Sequence, residues 1–300
     1  MPPFITAIVP VWNGGRFIRP LLESLLDSNH PKNRLAVLIC DNGSADDSLR
    51  EIDDSFRRLR LQGVFCRVIS PGKNLGVPRA YNLLLAGLPP QTDYVLRLDQ
   101  DVLLEREALP GMLEAFESRR NAGIVGPMFV DYESGEKTVH GPGRLSAWRM
   151  KIGQGDPRIP GPCDWLHGAA MLIRADLFTR GGLRFSEDYF LYYDDTVICL
   201  EARALGRDVV YWPSAKVRHA VSTTRDKSSR RRMYYSVRGR LLLAARHGSW
   251  KQKLGCLVPF FFIGCHWNAL RSAIAGHPDL AIIPYLAGFD YLTSRLGKRL

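Results

Sequence analysis

Short apolar runs rich in β-branched residues alternate with segments of helical periodicity through the first 130 residues. Runs with the composition of buried strands cover residues 5–11, 35–40, 64–69, 94–98 and 123–130. Between them, apolar residues recur at the spacing of an amphipathic helix, as at Phe17, Ile18, Leu21, Leu22 and Leu25. Consecutive parallel strands need a long crossover, which is usually a helix. The chain is therefore predicted to have an α/β fold with a mostly parallel, Rossmann-like sheet flanked by helices.

The fourth run, Tyr94–Leu98, ends in two carboxylates one residue apart, Asp99 and Asp101. Residues i and i+2 of an extended chain point to the same side, so both carboxylates can face one ligand. An α/β sheet binds its ligand at the carboxyl ends of its strands. A divalent cation such as Mg²⁺ or Mn²⁺ prefers oxygen ligands and is often shared with a diphosphate. Turns also favour aspartate, so the pair alone does not establish a metal site.

Two further polar loops follow apolar runs, residues 10–13 after the first run and residues 41–44 after the second. Parallel strands end at the same edge of a sheet, so these loops and residues 99–101 are predicted to border one crevice. The sequence has neither Gly-x-Gly-x-x-Gly after the first run nor Gly-x-x-x-x-Gly-Lys-Ser/Thr. The remaining interpretation is a nucleotide bound through acidic loops and a metal.

The composition limits the partners. With 300 residues, 46% of them hydrophobic, the chain can form one large domain or one domain with an extension. A formal net charge of +11 indicates an anionic partner, which is a nucleic acid, a membrane surface or a phosphorylated substrate. No nucleic-acid recognition motif accompanies the basic residues, so we expect no nucleic acid partner.

The cysteines and the N-terminus bear on location. The chain has 6 cysteines, scattered and without a Cys-x-x-Cys pair, which argues against a disulfide framework and favours a reducing compartment. No basic segment followed by an apolar core stands at the start, and no apolar run reaches the roughly 18 residues that span a bilayer. We expect a cytoplasmic protein, either free or peripheral on the inner face of the cell membrane.

The ordered motifs resemble the inverting family 2 glycosyltransferases of the GT-A fold. The similarity extends over about residues 4–220 and consists of segments 9–13, 41–46, 74–82, 99–101, 165–170 and 190–195. Each motif is weak alone, whereas the whole set in this order is specific. Within the family, the chain is most similar to bacterial rhamnosyltransferase-type and related cell-surface polysaccharide enzymes. It departs from the commonest pattern at Asn42, where many members carry an aspartate, and at Gln100, a variable position.

The resemblance implies roles for residues at the strand ends. A nucleotide-sugar donor would be bound by Pro10, Val11, Asn13, Asp41, Asn74, Arg79, Asp99 and Gln100. Asp41 would accept a hydrogen bond from a uracil or thymine imide. Asp101 would be the direct metal ligand, with Asp99 near the ribose and the metal. His219 would be a third metal ligand, although a lone histidine after a strand is more often a hydrogen-bonded surface group.

Residues 165–174 pass from polar to small to apolar. Trp165 has the shape to stack on a sugar face, and Gly168 with its small neighbours lets the backbone approach a sugar or phosphate. These residues, with His167, are the predicted acceptor and sugar site. The alternative is a glycine turn into a core strand, with a structural His167.

Asp194 and Asp195 follow the aromatic segment 189–193. Apolar neighbours and a like charge both disfavour ionisation and raise the pKa of a carboxyl group towards the range useful for proton transfer. Inverting transfer needs one base to deprotonate the acceptor hydroxyl. The resemblance makes Asp195 that base, with Asp194 as the second choice. Either carboxylate would equally suit the N-terminus of a following helix.

Residues 221–300 are predicted to form a helical, basic and apolar extension after a catalytic domain of residues 1–220. Its basic residues include Arg225, Lys227, Arg230, Arg231, Arg232, Arg238, Arg240 and Arg246. They form a solvated helix face or meet the donor diphosphate, a polyprenyl diphosphate acceptor or anionic lipid headgroups. The apolar stretch from Leu254 is too short to span a bilayer and suits a buried or interfacial helix.

The predicted function is a metal-dependent inverting transfer of a sugar, such as rhamnose, from a dTDP- or UDP-sugar. The acceptor would be a hydroxyl of a glycan or of a polyprenyl-diphosphate-linked glycan. Two alternatives stay open. A sugar-nucleotide nucleotidyltransferase uses a similar sheet but usually has a Gly-rich basic loop after the first strand, where this chain has only Gly14, Gly15 and Arg16. The other is an inactive scaffold that binds sugar nucleotides or lipids.

Overall fold

Parallel and antiparallel strands form one large sheet in the computed structural model of the chain, which describes residues 1–148, 150, 152–220 and 230–299. The strands are β1 (Ile5–Val11), β2 (Leu35–Asp41), β3 (Phe65–Ile69), β4 (Tyr94–Leu98), β5 (Val102–Leu104), β6 (Ala122–Asp131), β7 (Thr138–His140), β8 (Gly143–Leu145), β9 (Ile152–Gln154), β10 (Gly161–Pro162), β11 (Ala170–Arg174) and β12 (Asp208–His219). The order along the sheet is β10-β12-β6-β11-β4-β1-β2-β3, with β5 on β12 and β7 on β6. β8 and β9 form a separate antiparallel pair.

Helices cover both faces of this sheet. They are α1 (Gly15–Asp27), α2 (Ser48–Leu61), α3 (Val77–Leu85), α4 (Ala108–Ser118), α5 (Ala175–Thr179), α6 (Asp194–Ala204), α7 (Arg230–His247), α8 (Trp250–Pro259), α9 (Cys265–Ile274) and α10 (Ile283–Leu292). The predicted α/β fold with a mostly parallel sheet is confirmed, and the predicted strands differ from the observed ones by a residue or two at their ends.

Alternating side chains of the strands supply two cores. In β1, Ala7 and Val9 face a cluster that also holds α1, α2 and α4, whereas Ile8 faces a cluster with α3, α5 and α6. This follows from the pleat, which sends successive side chains to opposite faces. A strand that is buried on both faces has a continuous apolar sequence, and β1 has such a sequence.

Two departures from a simple parallel sheet shape the site. β11 is antiparallel to both β4 and β6, and its first residue, Ala170, pairs with Leu98 at the end of β4. β12 is one strand of 12 residues. Its ladder with β6 is irregular between Trp212 and Lys216. Pro213 lies in this stretch, and a proline has no N–H to donate to the ladder.

The helices after residue 230 pack on the aromatic segment that precedes α6. Phe190 stacks on Tyr235 of α7 with ring centroids 5.1 Å apart, and Tyr189 packs in a cluster with Leu242 and Leu243. α8 continues through a π-helical turn, Phe260–Gly264, into α9. Among the described residues, no helix is both long and apolar enough to cross a membrane. The proposed domain boundary near residue 220 stays a prediction.

Glycine is required at the turn after β2. Gly43 has φ +79°, and a Cβ there would lie 2.8 Å from Cα of Lys73. Gly63 has a similar φ of +81° but nothing within 4 Å of the added Cβ. Alanine at either position would strain the backbone, but only alanine at position 43 would also clash with a neighbour.

We expect Gly63→Ala to lower the free energy of unfolding by about 1 kcal/mol, the cost of a left-handed alanine. Gly43→Ala should lower it by roughly 1–3 kcal/mol more, because a backbone segment must shift. Chemical denaturation followed by circular dichroism measures both. Equal losses for the two variants would contradict the contact with Lys73.

Candidate active site

The loops after β1 and β2 are joined by hydrogen bonds. Val11 pairs with Asp41 across the two strands. The backbone N–H of Asn13 donates to Oγ of Ser44 at 3.0 Å, and Oδ1 of Asn13 accepts from the N–H of Ala45 at 2.8 Å. Asp41 is buried at this edge, next in the sheet to Pro10 and Val11. The structure thus brings Pro10, Val11, Asn13 and Asp41 together.

Asn42 connects the β2 loop to the loop before α3. Its side-chain Nδ2 donates to the carbonyl of Gly76 and to Oδ1 of Asn74, both at 3.3 Å. Its Oδ1 accepts from the N–H of Leu75 at 2.8 Å. An aspartate at position 42 would have no side-chain N–H to donate, so this departure from the family pattern suits this chain's own loop. Asn74 also accepts from the N–H of Gly76, at 2.9 Å.

Gln100 joins the β4 end to the β1 end. Its Oε1 accepts from the N–H of Trp12 at 2.8 Å, and its Nε2 donates to the carbonyl of Trp12 at 3.3 Å. The middle residue of the Asp-x-Asp motif therefore positions the neighbouring loop. Arg79, another predicted donor contact, is exposed on α3 and lies 3.8 Å from a carboxylate oxygen of Glu187.

Arg97 lies buried beneath the acidic residues and was not predicted as a site residue. Its Nη2 is 2.7 Å from Oδ2 of Asp194 and 4.0 Å from Oδ1 of Asp99. The guanidinium lies over the rings of Tyr81 and Phe185, at 4.7 and 5.3 Å from their centroids. Burial alone would lower the pKa of Arg97, but the charge of Asp194 and its neighbours outweighs it and keeps the group charged. An arginine inside an apolar strand was the available sequence signal, because a buried charge needs a partner.

Asp99 is held at the end of β4 by Tyr81. The phenol lies 3.0 Å from Oδ1 of Asp99 and 2.9 Å from the carbonyl of Leu98. Burial raises the pKa of Asp99 to about 7, and the charge of Arg97 opposes that rise. A carboxyl group with this pKa gains much from a nearby cation, which favours its charged form.

Asp195 occupies the first turn of α6 and points to the loop before β11. Its Oδ2 accepts from the N–H of Gly168 at 3.1 Å, and its Oδ1 accepts from the N–H of Thr196 at 2.7 Å. Burial, followed by the charge of Asp194, raises the pKa of Asp195 to about 6. Asp194 instead forms the ion pair with Arg97. The two adjacent carboxylates therefore have different environments, and the predicted role of Asp195 as general base stays a prediction.

The residues before α6 have an unusual backbone. Tyr192 and Tyr193 both lie in the left-handed region, with φ values of 67° and 66°. Non-glycine residues there cost roughly 1–2 kcal/mol each. Such strain persists where the surroundings determine it and is common at functional sites. Here it turns the chain so that Asp194 and Asp195 begin the helix.

Gly168 and Trp165 differ in what they contribute. A Cβ on Gly168 would lie 2.5 Å from Nη2 of Arg97, so only glycine lets the loop pass over the guanidinium. Trp165 is 6% exposed and packs in the core beside Gly143. Its ring is thus covered by protein, which contradicts the predicted stacking on a sugar. The reason is that a large aromatic ring is stabilised by burial among the other apolar side chains of the core.

The residues at the sheet edge fit a divalent cation. His219 pairs with Val102 across β12 and β5, which brings its Nε2 to 3.7 Å from Oδ1 of Asp101. Carboxylate oxygen and imidazole nitrogen together suit Mn²⁺ and related cations. Asp99, one residue before Gln100, offers a further oxygen. The predicted metal ligands Asp99, Asp101 and His219 therefore lie at one edge, and their role stays a prediction.

The architecture is the GT-A fold, which solved glycosyltransferases share. The mannosyltransferase PcManGT from Pyrobaculum calidifontis, solved with GDP-Man and Mn²⁺, superposes with a TM-score of 0.61 at 17% identity, over 97% of this chain and 88% of that chain. TarS 1-349 of S. aureus superposes with a TM-score of 0.59 at 17% identity, over 89% and 74% of the two chains. At this identity the likeness shows the fold alone.

Sequence comparison names the family. Residues 6–181 match Glycosyl transferase family 2, and the chain belongs to that family. The N-acetylglucosaminyl-diphospho-decaprenol L-rhamnosyltransferase of Mycobacterium tuberculosis is 28% identical over an alignment that covers 82% of this chain and 87% of the relative. The rhamnosyltransferase WbbL of Escherichia coli is 26% identical over 68% of this chain and 78% of its own length. Membership confirms the predicted family and enzyme class and sets aside nucleotidyl transfer.

The buried ion pair gives a stability test. We expect Arg97→Met to lower the free energy of unfolding by about 3–5 kcal/mol, because it leaves Asp194 buried without its cation. Adding Asp194→Asn should restore part of that loss. A double-mutant cycle by chemical denaturation measures the coupling. Losses that add to within about 0.5 kcal/mol would show that the two side chains do not interact.

Proposed function

We propose that this family 2 enzyme transfers a sugar, with rhamnose as first candidate, from a dTDP- or UDP-sugar donor with inversion at the anomeric carbon. The acceptor is a hydroxyl of a polyprenyl-diphosphate-linked glycan. The names of the Mycobacterium tuberculosis and Escherichia coli relatives support the sugar, and the former supports a GlcNAc-diphospho-polyprenol acceptor. The observation that carries the mechanism is the pairing of Asp195 with Gly168 above the buried Arg97–Asp194 pair.

The donor nucleoside would lie along the edge formed by Pro10, Val11, Asn13 and Asp41. Asp41 has the acceptor oxygens for a hydrogen bond from the imide N–H of uracil or thymine. Asn74 and Gln100 hold the loops that flank this edge. Arg79 is exposed on α3 and would contact the donor. The divalent cation, Mg²⁺ or Mn²⁺, is to be held by Asp101, His219 and Asp99, and when bound it neutralises charge on the departing diphosphate.

Asp195 is the proposed catalytic base. Its carboxylate removes the proton of the acceptor hydroxyl as that oxygen bonds to the anomeric carbon, and the bond from this carbon to the diphosphate oxygen breaks. Attack from the face opposite the leaving group inverts the configuration. Arg97 and Asp194 position the base and the β4 end relative to each other. Gly168 donates its N–H to Asp195 and lets the loop pass over the Arg97 guanidinium.

A panel of nucleotide sugars tests the proposal. The purified chain is incubated with each donor, with Mn²⁺ or Mg²⁺ and with a GlcNAc-diphospho-polyprenol analogue, and release of nucleoside diphosphate is measured. We expect turnover with dTDP-rhamnose or with one UDP-sugar, and a product of inverted anomeric configuration by NMR. A retained configuration would overturn the inverting mechanism.

Replacing the base separates chemistry from binding. Asp195→Asn should reduce kcat by about 10²–10⁴-fold because no carboxylate takes the proton, while donor affinity by calorimetry stays near that of the wild type. Asp188→Asn is the matched control, since Asp188 precedes the same helix and pairs with Arg246. Near-normal turnover of the Asp195 variant would exclude this residue as the base.

The pH profile follows from the raised pKa of Asp195. The base acts as carboxylate, so kcat/KM should fall about tenfold per pH unit below the pKa of about 6. Burial and the charge of Asp194 disfavour the charged form of Asp195, and the charge of Arg97 favours it. In Arg97→Met the acid limb should therefore move to higher pH, if the variant is folded by circular dichroism. An acid limb at the same pH in the variant and the wild type would show that a group other than Asp195 causes it.

We also propose that α8 and α9 lie on an anionic membrane surface, where the acceptor lipid is found. Exposed apolar side chains recur along them at helical spacing: Trp250, Leu254, Val258, Phe262, Ile263, Trp267, Leu270 and Ile274. Lys251, Lys253 and Arg271 lie on the same helices and suit anionic headgroups. Arg238 is buried and binds Tyr234, and Arg231 lies over Trp12. Arg225 and Lys227 lie outside the described residues.

Vesicle sedimentation tests this surface. The wild type should sediment with phosphatidylglycerol vesicles at low salt, and less with phosphatidylcholine. Phe262→Ser with Ile263→Ser should weaken binding several-fold, because two apolar side chains no longer insert. Leu61→Ser is the matched control: Leu61, 85% exposed, lies at the end of α2. A protein that stays in the supernatant with both lipids would contradict the proposal.

A further inference from the structure

Three histidines from distant parts of the sequence meet at the edge of the sheet. His140 ends β7, His167 precedes β11 and His219 ends β12. One ligand nitrogen from each lies within 4.8 Å of the others. The rings of His140 and His167 stack with centroids 3.9 Å apart, and that of His219 lies 5.1 Å from His167 and 5.8 Å from His140.

Strand pairing explains the convergence. β6 pairs with β7 on one side and β12 on the other, so that His140 lies opposite Phe129 and His219 lies opposite Asp131. The ring of Phe129 contacts all three imidazoles, with centroids 5.3–6.1 Å away. The side-chain amide of Gln154 lies 3.1 Å from Nδ1 of His140, and the N–H of Ala169 lies 3.3 Å from Nδ1 of His167. These contacts orient the rings.

Three imidazole nitrogens are a donor set for transition metals. Imidazole suits Zn²⁺ and the transition metals close to it such as Co²⁺, whereas Mg²⁺ and Mn²⁺ prefer oxygen ligands. Zinc binds histidine nitrogen at about 2.0–2.1 Å in a tetrahedron, which sets the nitrogens about 3.4 Å apart. The rings therefore need to close by about an ångström on binding. Asp101, 3.7 Å from Nε2 of His219, is placed to supply a fourth ligand.

We propose that His140, His167, His219 and Asp101 form a single binding site for a transition-metal cation of the zinc class. The inference rests on the proposed function in one respect, since His219 and Asp101 are also the ligands proposed for the donor's cation. With His140 and His167 added, the proposed ligands are three imidazole nitrogens and one carboxylate oxygen. The consequence is a cation preference in which Zn²⁺ and Co²⁺ bind more tightly than Mn²⁺ and Mg²⁺.

Cobalt binding is the direct test, because tetrahedral Co²⁺ has visible absorption bands and its binding can be measured without an assay of enzyme activity. The full chain is stripped with chelator, titrated with Co²⁺ and then with Zn²⁺. We expect one Co²⁺ per chain, displaced by Zn²⁺ and not by Mg²⁺. His140→Ala and His167→Ala should each weaken binding by more than about tenfold. His277→Ala, at an exposed histidine, should bind as the wild type does.

Further variants keep the test decisive. Should His140→Ala fail to fold by circular dichroism, His140→Gln replaces it and retains the bulk of the ring. Wild-type Co²⁺ affinity in both the His140 and His167 variants would overturn the proposal and leave Asp99, Asp101 and His219 as the proposed ligands. Absence of Co²⁺ bands in the wild type would also overturn it.

The two proposals fail separately. Transfer of sugar with Mg²⁺ alone, in a chain that binds no Co²⁺, would reject the histidine site and keep the glycosyltransferase mechanism. Co²⁺ bound through His140 and His167, in a chain that releases no nucleoside diphosphate from any donor, would support the metal site and reject the proposed reaction.

Discussion

The buried ion pair of Arg97 and Asp194 is the interaction on which the site depends. Removing two charges from water costs several kcal/mol, and their attraction offsets that cost only in close geometry. The pair therefore requires the central strand β4 and the first turn of α6 to lie in one arrangement. That arrangement directs Asp195 towards Gly168 and brings Asp99 near the same guanidinium. The same arrangement maintains the strained, left-handed backbone of Tyr192 and Tyr193, which immediately precede Asp194.

The C-terminal helices restrain the same segment from the other side. Phe190 accepts a hydrogen bond from the N–H of Val77 through its carbonyl, at 3.0 Å, and its ring stacks on Tyr235 of α7. A Cβ on Gly76 would lie 2.7 Å from the Phe190 ring, so the loop before α3 packs closely on this segment. The loop that Asn42 and Asn74 shape is thus in contact with the segment that precedes the proposed base. Helix α7 therefore contributes to the geometry of the site.

How far the sequence predicts the site depends on how local each feature is. The alternation of apolar runs and helices predicts the fold, because period and composition are local properties. The Asp-x-Asp motif is predicted for the same reason, since strand ends share one edge. Asp194 and Asp195 at the start of α6 are predicted from the aromatic segment that precedes them. Arg97 could have been found as a charge inside an apolar strand. The cluster of His140 with His167 and His219 has no local signature, because it arises from strand pairing across β6.

The sequence by itself determined the α/β class, the strand ends that carry Asp41, Asp99 and Asp101, and the resemblance to family 2 glycosyltransferases. Tertiary structure decided that Asp194 rather than Asp195 forms the ion pair, because that depends on a guanidinium about a hundred residues away in the chain. It also decided that Trp165 packs in the core. The physical reason is the same in both cases: burial and charge pairing are properties of side chains from different elements, which only the folded chain brings together.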